Sequence, residues 1–319
     1  MAHSLGPASQ SLALGIDLGG TKIAAALLDS GGQTCWQARW PTPKDNYAAT
    51  LDALVVAVRA AQDAARQAGA GAELSIGMGS PGSMTAAGTM KNCNSTWLNG
   101  QSLQRDLQAR LGQAVALAND ANCLALSEAT DGAGAGQAVV FAAILGTGAG
   151  AGIAVHGRVL AGANGLAGEW GHNPLPWGAN SADPPWRCYC GQQGCTESYV
   201  SGSGLALDHR HITGQPLTGE QIVLRAQAGD TDCSATLQRH SHRLARALAA
   251  VINLLDPDVI VLGGGLSHMQ HLYHDVPALW SHWVFSAGSE EALRTRLLPA
   301  RHGDASGVRG AAWMGRQRT

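Results

Sequence analysis

His172, Cys188, Cys190 and Cys195 form the densest group of metal-ligating residue types in the chain. One imidazole and three thiolates complete a tetrahedral shell of the kind that holds structural zinc, and the Cys188 to Cys195 spacing lets a short glycine loop wrap the ion. Four protein ligands leave no open position for water, which disfavours a catalytic zinc. The competing reading is free thiols beside a satisfied histidine, although cysteine at this density has little packing rationale. Glu169 and Glu197 flank the cluster. A further carboxylate, in the pair Asn119-Asp120, follows a predicted strand and precedes a predicted helix. Such a carboxylate can take a proton from a substrate hydroxyl, or it can simply cap the helix.

Three glycine loops follow runs that read as buried strands. In the first, Asp17-Leu18-Gly19-Gly20-Thr21-Lys22, successive backbone N–H groups lie without Cβ obstruction, which is how a nest for phosphate oxygens is built, and Asp17 stands beside it to hold Mg²⁺. Taken alone, the loop is equally a plain hairpin turn. The second, Gly146-Thr147-Gly148-Ala149-Gly150-Ala151, nominally fits a dinucleotide fingerprint, but an apolar run from Ile153 to Val155 and a turn follow where such a site needs a helix. NAD binding is therefore disfavoured, and no P-loop signature occurs. The third, Gly263-Gly264-Gly265, follows a buried strand and precedes a predicted helix start, where flat backbone suits an adenine or ribose.

The elements that must position these loops are legible as hydrophobic runs. Leu12 to Ile16 and Ile23 to Leu28 read as strands around the first loop, and Val139 to Leu145 with Ile153 to Val155 repeats the arrangement around the second. The chain thus reads as two related halves. Leu51, Leu54, Val55 and Val58 predict a helix over Asn46 to Gln67, Leu74 to Met78 predicts a strand, and Ser102 predicts the cap of a helix that Gly112 ends. Val115 to Ala118 predicts a strand and Ala121 to Ala129 a helix. Leu237 to Leu255 predicts a long helix stopped by Asp256-Pro257, and Val259 to Leu262 a buried strand. The expected division is a tail over 1–11, a small α/β domain over 12–118 joined by a closing helix at 305–319, and a large α/β domain over 119–304 that carries the metal loop.

A chain of 319 residues, 45% hydrophobic and 14% charged, can bury two packed domains. With a net charge of −2 and three lysines, Lys22, Lys44 and Lys91, it has no basic stripe for nucleic acid. No apolar run reaches the length of a membrane span and no leader pattern opens the chain, so a soluble, cytoplasmic protein without membrane partners is expected. Cys35, Cys93, Cys123 and Cys233 are scattered, which argues against a disulfide framework.

Taken together, the Asp17 to Lys22 loop, Ala118 to Asn122, Gly168 to His172, Cys188 to Glu197 and Gly263 to Gly265 resemble the signatures of the ROK family, over Leu14 to about Trp313. The resemblance implies a two-domain actin-like ATPase (ribonuclease H-like) α/β fold, with ATP in an interdomain cleft, and the activity of an ATP-dependent hexose kinase. It implies that Asp120 takes the proton from the sugar hydroxyl and that Asn94, Asn119, Glu169, His172 and Glu197 contact the sugar. Asp17, Gly19, Gly20, Thr21, Lys22, Gly146, Thr147, Gly148, Gly264 and Gly265 would then hold Mg·ATP, and zinc would fix the loop presenting His172 and Glu197. It also implies a homodimer.

Two stretches, Lys91 to Gly100 and Gly171 to Trp177, are similar to bacterial fructokinases of the manno(fructo)kinase type, which implies conversion of fructose to fructose 6-phosphate, with mannose or glucose also accepted. Fifteen residues separate His172 from Cys188, a longer insert than many members have. An N-acetylhexosamine kinase shares every one of these motifs. A sugar-sensing ROK regulator would need a helix-turn-helix module before the first loop, where only about a dozen residues stand.

Overall fold

The computed structural model describes residues 11–70, 74–178, 183–286 and 291–317. Apart from Ser11, the predicted tail lies outside them. The chain divides into two compact units. The first runs to Asp131 and takes in Val159–Leu166 and the segment from Ala305 on; the second comprises Gly132–Arg158 and Ala167–Asp304.

In the first unit, β1 (Ala13–Leu18), β2 (Lys22–Leu28) and β3 (Thr34–Pro41) make an antiparallel meander. Helix α1 (Tyr47–Gln67) leads to β4 (Ser75–Ser80), which lies parallel to β1 on its other side. A small hairpin of β5 (Ser83–Met84) and β6 (Met90–Lys91) and helix α2 (Leu103–Leu111) precede β7 (Val115–Asn119), parallel to β4, and α3 (Asp120–Thr130) follows at once. The second unit repeats the plan. Strands β8 (Val139–Leu145) and β9 (Ala149–Val155) form a hairpin extended by β10 (Arg158–Val159). Four helices follow, α4 (Glu197–Val200), α5 (Gly202–Thr213), α6 (Gly219–Gln227) and α7 (Thr231–Leu255), before β11 (Val259–Gly263), α8 (Leu272–Leu279) and β12 (Arg296–Pro299). The sheet orders, β3-β2-β1-β4-β7 and β10-β9-β8-β11-β12, are the same topology, so the two halves expected from the glycine hairpins are present.

Local signals account for most element ends. Asn46 caps α1 by accepting from the Ala49 N–H, and Leu51, Leu54, Val55 and Val58 make its buried stripe. Gly112 ends α2 in the left-handed conformation. Ser102 does not cap that helix with its side chain as expected; its carbonyl instead accepts the Asp106 N–H at 2.9 Å. Helix α7 begins six residues before its predicted start at Leu237, because Asp230 caps it and the face over its first turns buries Cys233, Thr236 and His240 rather than large aliphatics.

The closing helix α9 (Ser306–Gln317) lies on β1, β4 and α3 at backbone distance. A Cβ at Gly15 would fall 1.9 Å from the Val308 carbonyl oxygen, one at Gly77 1.9 Å from that of Ala311, and one at Gly310 1.7 Å from that of Cys123. Glycine at these three positions is what lets the helix approach. Arg309 secures it, donating to the Gly32 carbonyl at 2.7 Å and pairing with Asp131. These contacts keep α3 in the first unit, whereas the sequence boundary at 118 assigned Asn119 and Asp120 to the second.

Candidate active site and metal clip

Parallel strands β1, β4 and β7 end along one edge. The register sets Asp17 opposite Gly79 and Ser80 opposite Asn119, which gathers Asp17 and the Asn119-Asp120 pair at the carboxyl ends of the strands, where open α/β sheets bind ligands. Gly79 permits this crowding, since a Cβ there would stand 3.1 Å from the Cys123 sulfur and 3.8 Å from the Asp120 Cα. Burial, and then the charges of Asp17 and Asp120, push the Cys123 thiol well up, so it stays protonated. The Asp17 carboxyl is itself raised by burial, against the opposing pull of Lys22. Its loop closes with Gly19 N–H to the Lys22 carbonyl at 3.0 Å, and the Thr42 hydroxyl donates to the Gly19 carbonyl at 2.8 Å. Gly20, Thr21 and Lys22 are exposed at the turn.

Asn119 is the N-cap of α3. Its Oδ1 accepts the Ala121 N–H at 2.9 Å and its amide donates to the Gly82 carbonyl at 3.0 Å, so much of its bonding capacity goes to the fold. Asp120, the first helical residue, accepts the same Ala121 N–H at 2.8 Å, and a helix N-terminus favours negative charge there. The loop that bears Asn94 is held by Asn99, which accepts the Cys93 N–H at 2.9 Å and donates to its carbonyl at 3.1 Å. Asn94 itself is exposed. Burial and then the Asp120 charge raise the Cys93 thiol to about 11, which puts this loop within electrostatic reach of Asp120.

In the second unit the other two glycine loops meet. Gly263 pairs with Ile144 across β11 and β8, and Gly264, at φ +80°, lies so close to the end of β8 that a Cβ would touch the Leu145 carbonyl oxygen at 2.6 Å. Gly265 faces open space. A short 3-10 turn over Gly265–His268, not the expected helix, follows. Gly202, at the start of α5, donates to the Gly146 carbonyl at 2.8 Å. It joins Gly146, Thr147, Gly148, Gly264 and Gly265 in the cluster; sequence reasoning missed it, and the available signal was Ser201, which caps the helix that Gly202 opens. Gly148 packs on Glu197, whose Oε2 accepts the Ala149 N–H at 2.8 Å.

The four expected metal ligands come together. Their ligand atoms all lie within 4.8 Å of one another, with Cys188 Sγ 3.6 Å from His172 Nδ1 and Cys190 Sγ 3.6 Å from Cys195 Sγ. A tetrahedral zinc site has ligand–ligand edges of about 3.8 Å or slightly less, which these two pairs already match, and pairs as far apart as 4.8 Å would close by about 1 Å on binding the ion. The clip is tied to its surroundings by backbone bonds: Cys188 N–H to the Gln192 carbonyl at 2.9 Å, and Thr196 N–H to the Asn173 carbonyl at 2.8 Å. His172 Nε2, on the far side of the ring, stands 3.1 Å from the Tyr189 hydroxyl, so one imidazole can serve the clip through Nδ1 and a hydroxyl through Nε2. Glu169 immediately precedes the short 3-10 turn that carries His172, and Gly168, at φ +94°, lets that turn lie against β9, the Ala151 N–H donating to the Gly168 carbonyl at 3.1 Å.

Comparison with known proteins agrees with this architecture. A family model described as "ROK family" matches residues 13–318. An N-acetyl-D-glucosamine kinase from Escherichia coli is 40% identical over 314 residues, covering 94% of this chain and 98% of its own length. Among solved structures, a ROK hexokinase from Thermus thermophilus superposes with a TM-score of 0.81 at 30% identity over 96% of this chain and 98% of that one. A ROK glucokinase from Streptomyces griseus, solved with glucose and AMPPNP, gives 0.76 at 28% over 96% and 100%. The fold is the actin-like ATPase fold of these kinases. Among the described residues, no helix is long and apolar enough to cross a membrane.

Proposed function

Because the chain belongs to the ROK family, we propose that it is an ATP-dependent sugar kinase whose substrate is N-acetyl-D-glucosamine, converted to its 6-phosphate with release of ADP. The observation that carries the kinase reading is the gathering of Asp17, Asn119 and Asp120 at one strand edge. Near-full-length similarity to the Escherichia coli enzyme supports the choice of sugar. The fructose reading rested on Lys91 to Gly100 and Gly171 to Trp177, and both stretches have local structural reasons. In the first, Asn99 clamps Cys93 and the Trp97 indole donates to the Thr50 hydroxyl at 3.2 Å. In the second, Leu175 donates to the Gly194 carbonyl at 2.8 Å beside the Pro174–Cys195 bridge. Neither needs a particular sugar to explain it.

In this reading Asp120 accepts the proton of the attacking sugar hydroxyl as it bonds to the γ-phosphorus and ADP leaves. Most of the acceleration comes from positioning and charge stabilisation. Asn94, Asn119, Glu169, His172 and Glu197 are the residues proposed to bond the remaining hydroxyls. Asp17, a half-buried hard-oxygen donor, suits Mg²⁺ carried by the nucleotide, and Gly19 to Lys22, Gly146 to Gly148, Gly264 and Gly265 are the residues proposed to hold its phosphates and nucleoside. His172, Cys188, Cys190 and Cys195 hold structural zinc, which fixes the loop on which His172 and Glu197 stand; elemental analysis should find about one zinc per chain. The direct test is Asp120→Asn, expected to cut turnover about 10²- to 10⁴-fold while sugar binding by calorimetry persists. Near-normal turnover would remove Asp120 as the base.

A further inference from the structure

The insert between His172 and Cys188 ends in a segment, Asp183 to Arg187, that is tied to the core of the second unit more firmly than to the clip it feeds. Two buried guanidiniums on α7 converge on the Asp183 carboxylate: Arg243 Nε donates to Oδ1 at 2.7 Å and Arg246 donates to Oδ2. Side-chain exposures of 7% and 6% for the arginines and 13% for Asp183 put the pair out of bulk water, where charge matching and geometry are demanding. Arg243 also meets Asp208 at 2.8 Å, and that carboxylate takes Arg239 as well. One residue on, the Tyr199 hydroxyl donates to the Pro184 carbonyl at 2.6 Å, and the Arg243 guanidinium lies 5.5 Å over the Tyr199 ring. The Trp186 carbonyl then accepts the Gly194 N–H at 2.9 Å, and Arg187 bridges to Gln193 across the clip.

The two ends of this chain of contacts matter. Asp183 stands five residues before the ligand Cys188, and Tyr199 stands two residues after Glu197. Beside the ion pair is a cleft of about 430 Å³ lined in part by Asp183, Arg239, Arg243, Arg246 and Trp283. Each of its three arginines already meets Asp183 or Asp208, so the cluster reads as an anchor rather than as an anion site.

We propose that Asp183 is a positioning residue: the Asp183–Arg187 segment straps the metal clip to α7 and sets where His172 and Glu197 stand toward the sugar. The proposal rests on the sugar-binding role given above to those two residues. Three variants, Asp183→Asn, Tyr199→Phe and Glu197→Ala, are compared in the zinc-loaded full chain by sugar KM, Mg·ATP KM, thermal midpoint and the rate at which a chelator strips the zinc. Asp183→Asn is expected to raise the sugar KM about tenfold or more, with the Mg·ATP KM within about twofold of wild type, and to speed zinc loss. Asp183→Glu should recover part of the affinity, and Tyr199→Phe, which removes one hydroxyl from a different anchor of the same segment, should shift the sugar KM in the same direction. If Glu197→Ala raises the sugar KM while Asp183→Asn and Tyr199→Phe keep wild-type KM and zinc loss, with at most a lower thermal midpoint, the strap is overturned and the ion pair serves stability alone. An unchanged sugar KM in Glu197→Ala overturns the sugar-binding reading and the strap with it. Should Asp183→Asn fail to fold, the Tyr199→Phe result decides.

Discussion

Glu197 Oε2 accepts a hydrogen bond from the Ala149 amide at 2.8 Å, so the first helical residue after the metal clip is bonded to the second glycine loop. Gly148 makes that bond possible, because a Cβ there would lie 2.5 Å from the same oxygen. Gly148→Ala must therefore displace either the loop or the carboxylate. We expect kcat/KM for sugar and for Mg·ATP to fall together, by about 10- to 100-fold, as for other losses of a supporting contact. Gly150→Ala, where a Cβ meets nothing within 4 Å, is the control and should change either value little. Initial-rate kinetics on both variants checks this, and wild-type values for Gly148→Ala would mean that the two elements are not functionally joined.

Packing of α9 gives a stability prediction independent of function. At Gly77 an added methyl meets the Ala311 carbonyl oxygen at 1.9 Å, backbone against backbone, with no flexible side chain to yield. Gly77→Ala should cost about 1–3 kcal/mol or more in unfolding free energy. Gly178→Ala, where a Cβ meets nothing within 4 Å, should stay within about 0.5 kcal/mol of wild type. Denaturant titration of the two variants compares them directly, and equal midpoints would contradict the close approach of α9.

How much of this was readable from the chain follows from what each signal depends on. The glycine hairpins, the paired halves and the four clip residues were legible because local sequence dictates them: glycine runs between apolar stretches, strand hydrophobicity and ligand spacing are all short-range. Strand β3 was overlooked, although Trp36, Ala38 and Trp40 alternate with Gln37 and Arg39 at strand period; the stripe is short and only half-buried. The unit boundary was misplaced because what keeps α3 in the first unit is α9, nearly two hundred residues away in sequence. That Asn119, read as a sugar contact, also bonds Gly82 and caps α3 at Ala121 was not legible, because it depends on a turn that sequence does not place. The strap is similarly non-local, as Asp183 meets residues sixty positions downstream.

A buried histidine sets one pH response. Burial is the main reason that the His240 pKa falls to about 4; nearby His271 and Arg243 push the same way, and the Val200 carbonyl, 3.0 Å from Nε2, opposes them. The folded state thus keeps this ring neutral while the unfolded chain protonates it near pH 6.5. Above about pH 6.5 the residue contributes no pH dependence; from there down to about pH 4 the unfolded state binds the extra proton, and stability falls by up to roughly 3 kcal/mol. His240→Gln can still donate to Val200 but cannot titrate. Unfolding free energies at about pH 7 and about pH 4 should show the variant losing less than wild type by that margin; parallel losses would show that His240 is not held neutral.

N-acetylglucosamine is the sugar proposed for this kinase. Sugar-dependent ADP release with Mg·ATP, measured for N-acetylglucosamine, N-acetylmannosamine, glucose, mannose and fructose under identical conditions, tests it most directly. The highest kcat/KM is expected for N-acetylglucosamine, by at least about tenfold, a margin of about 1.4 kcal/mol in transition-state binding. A higher kcat/KM for fructose or glucose would contradict it.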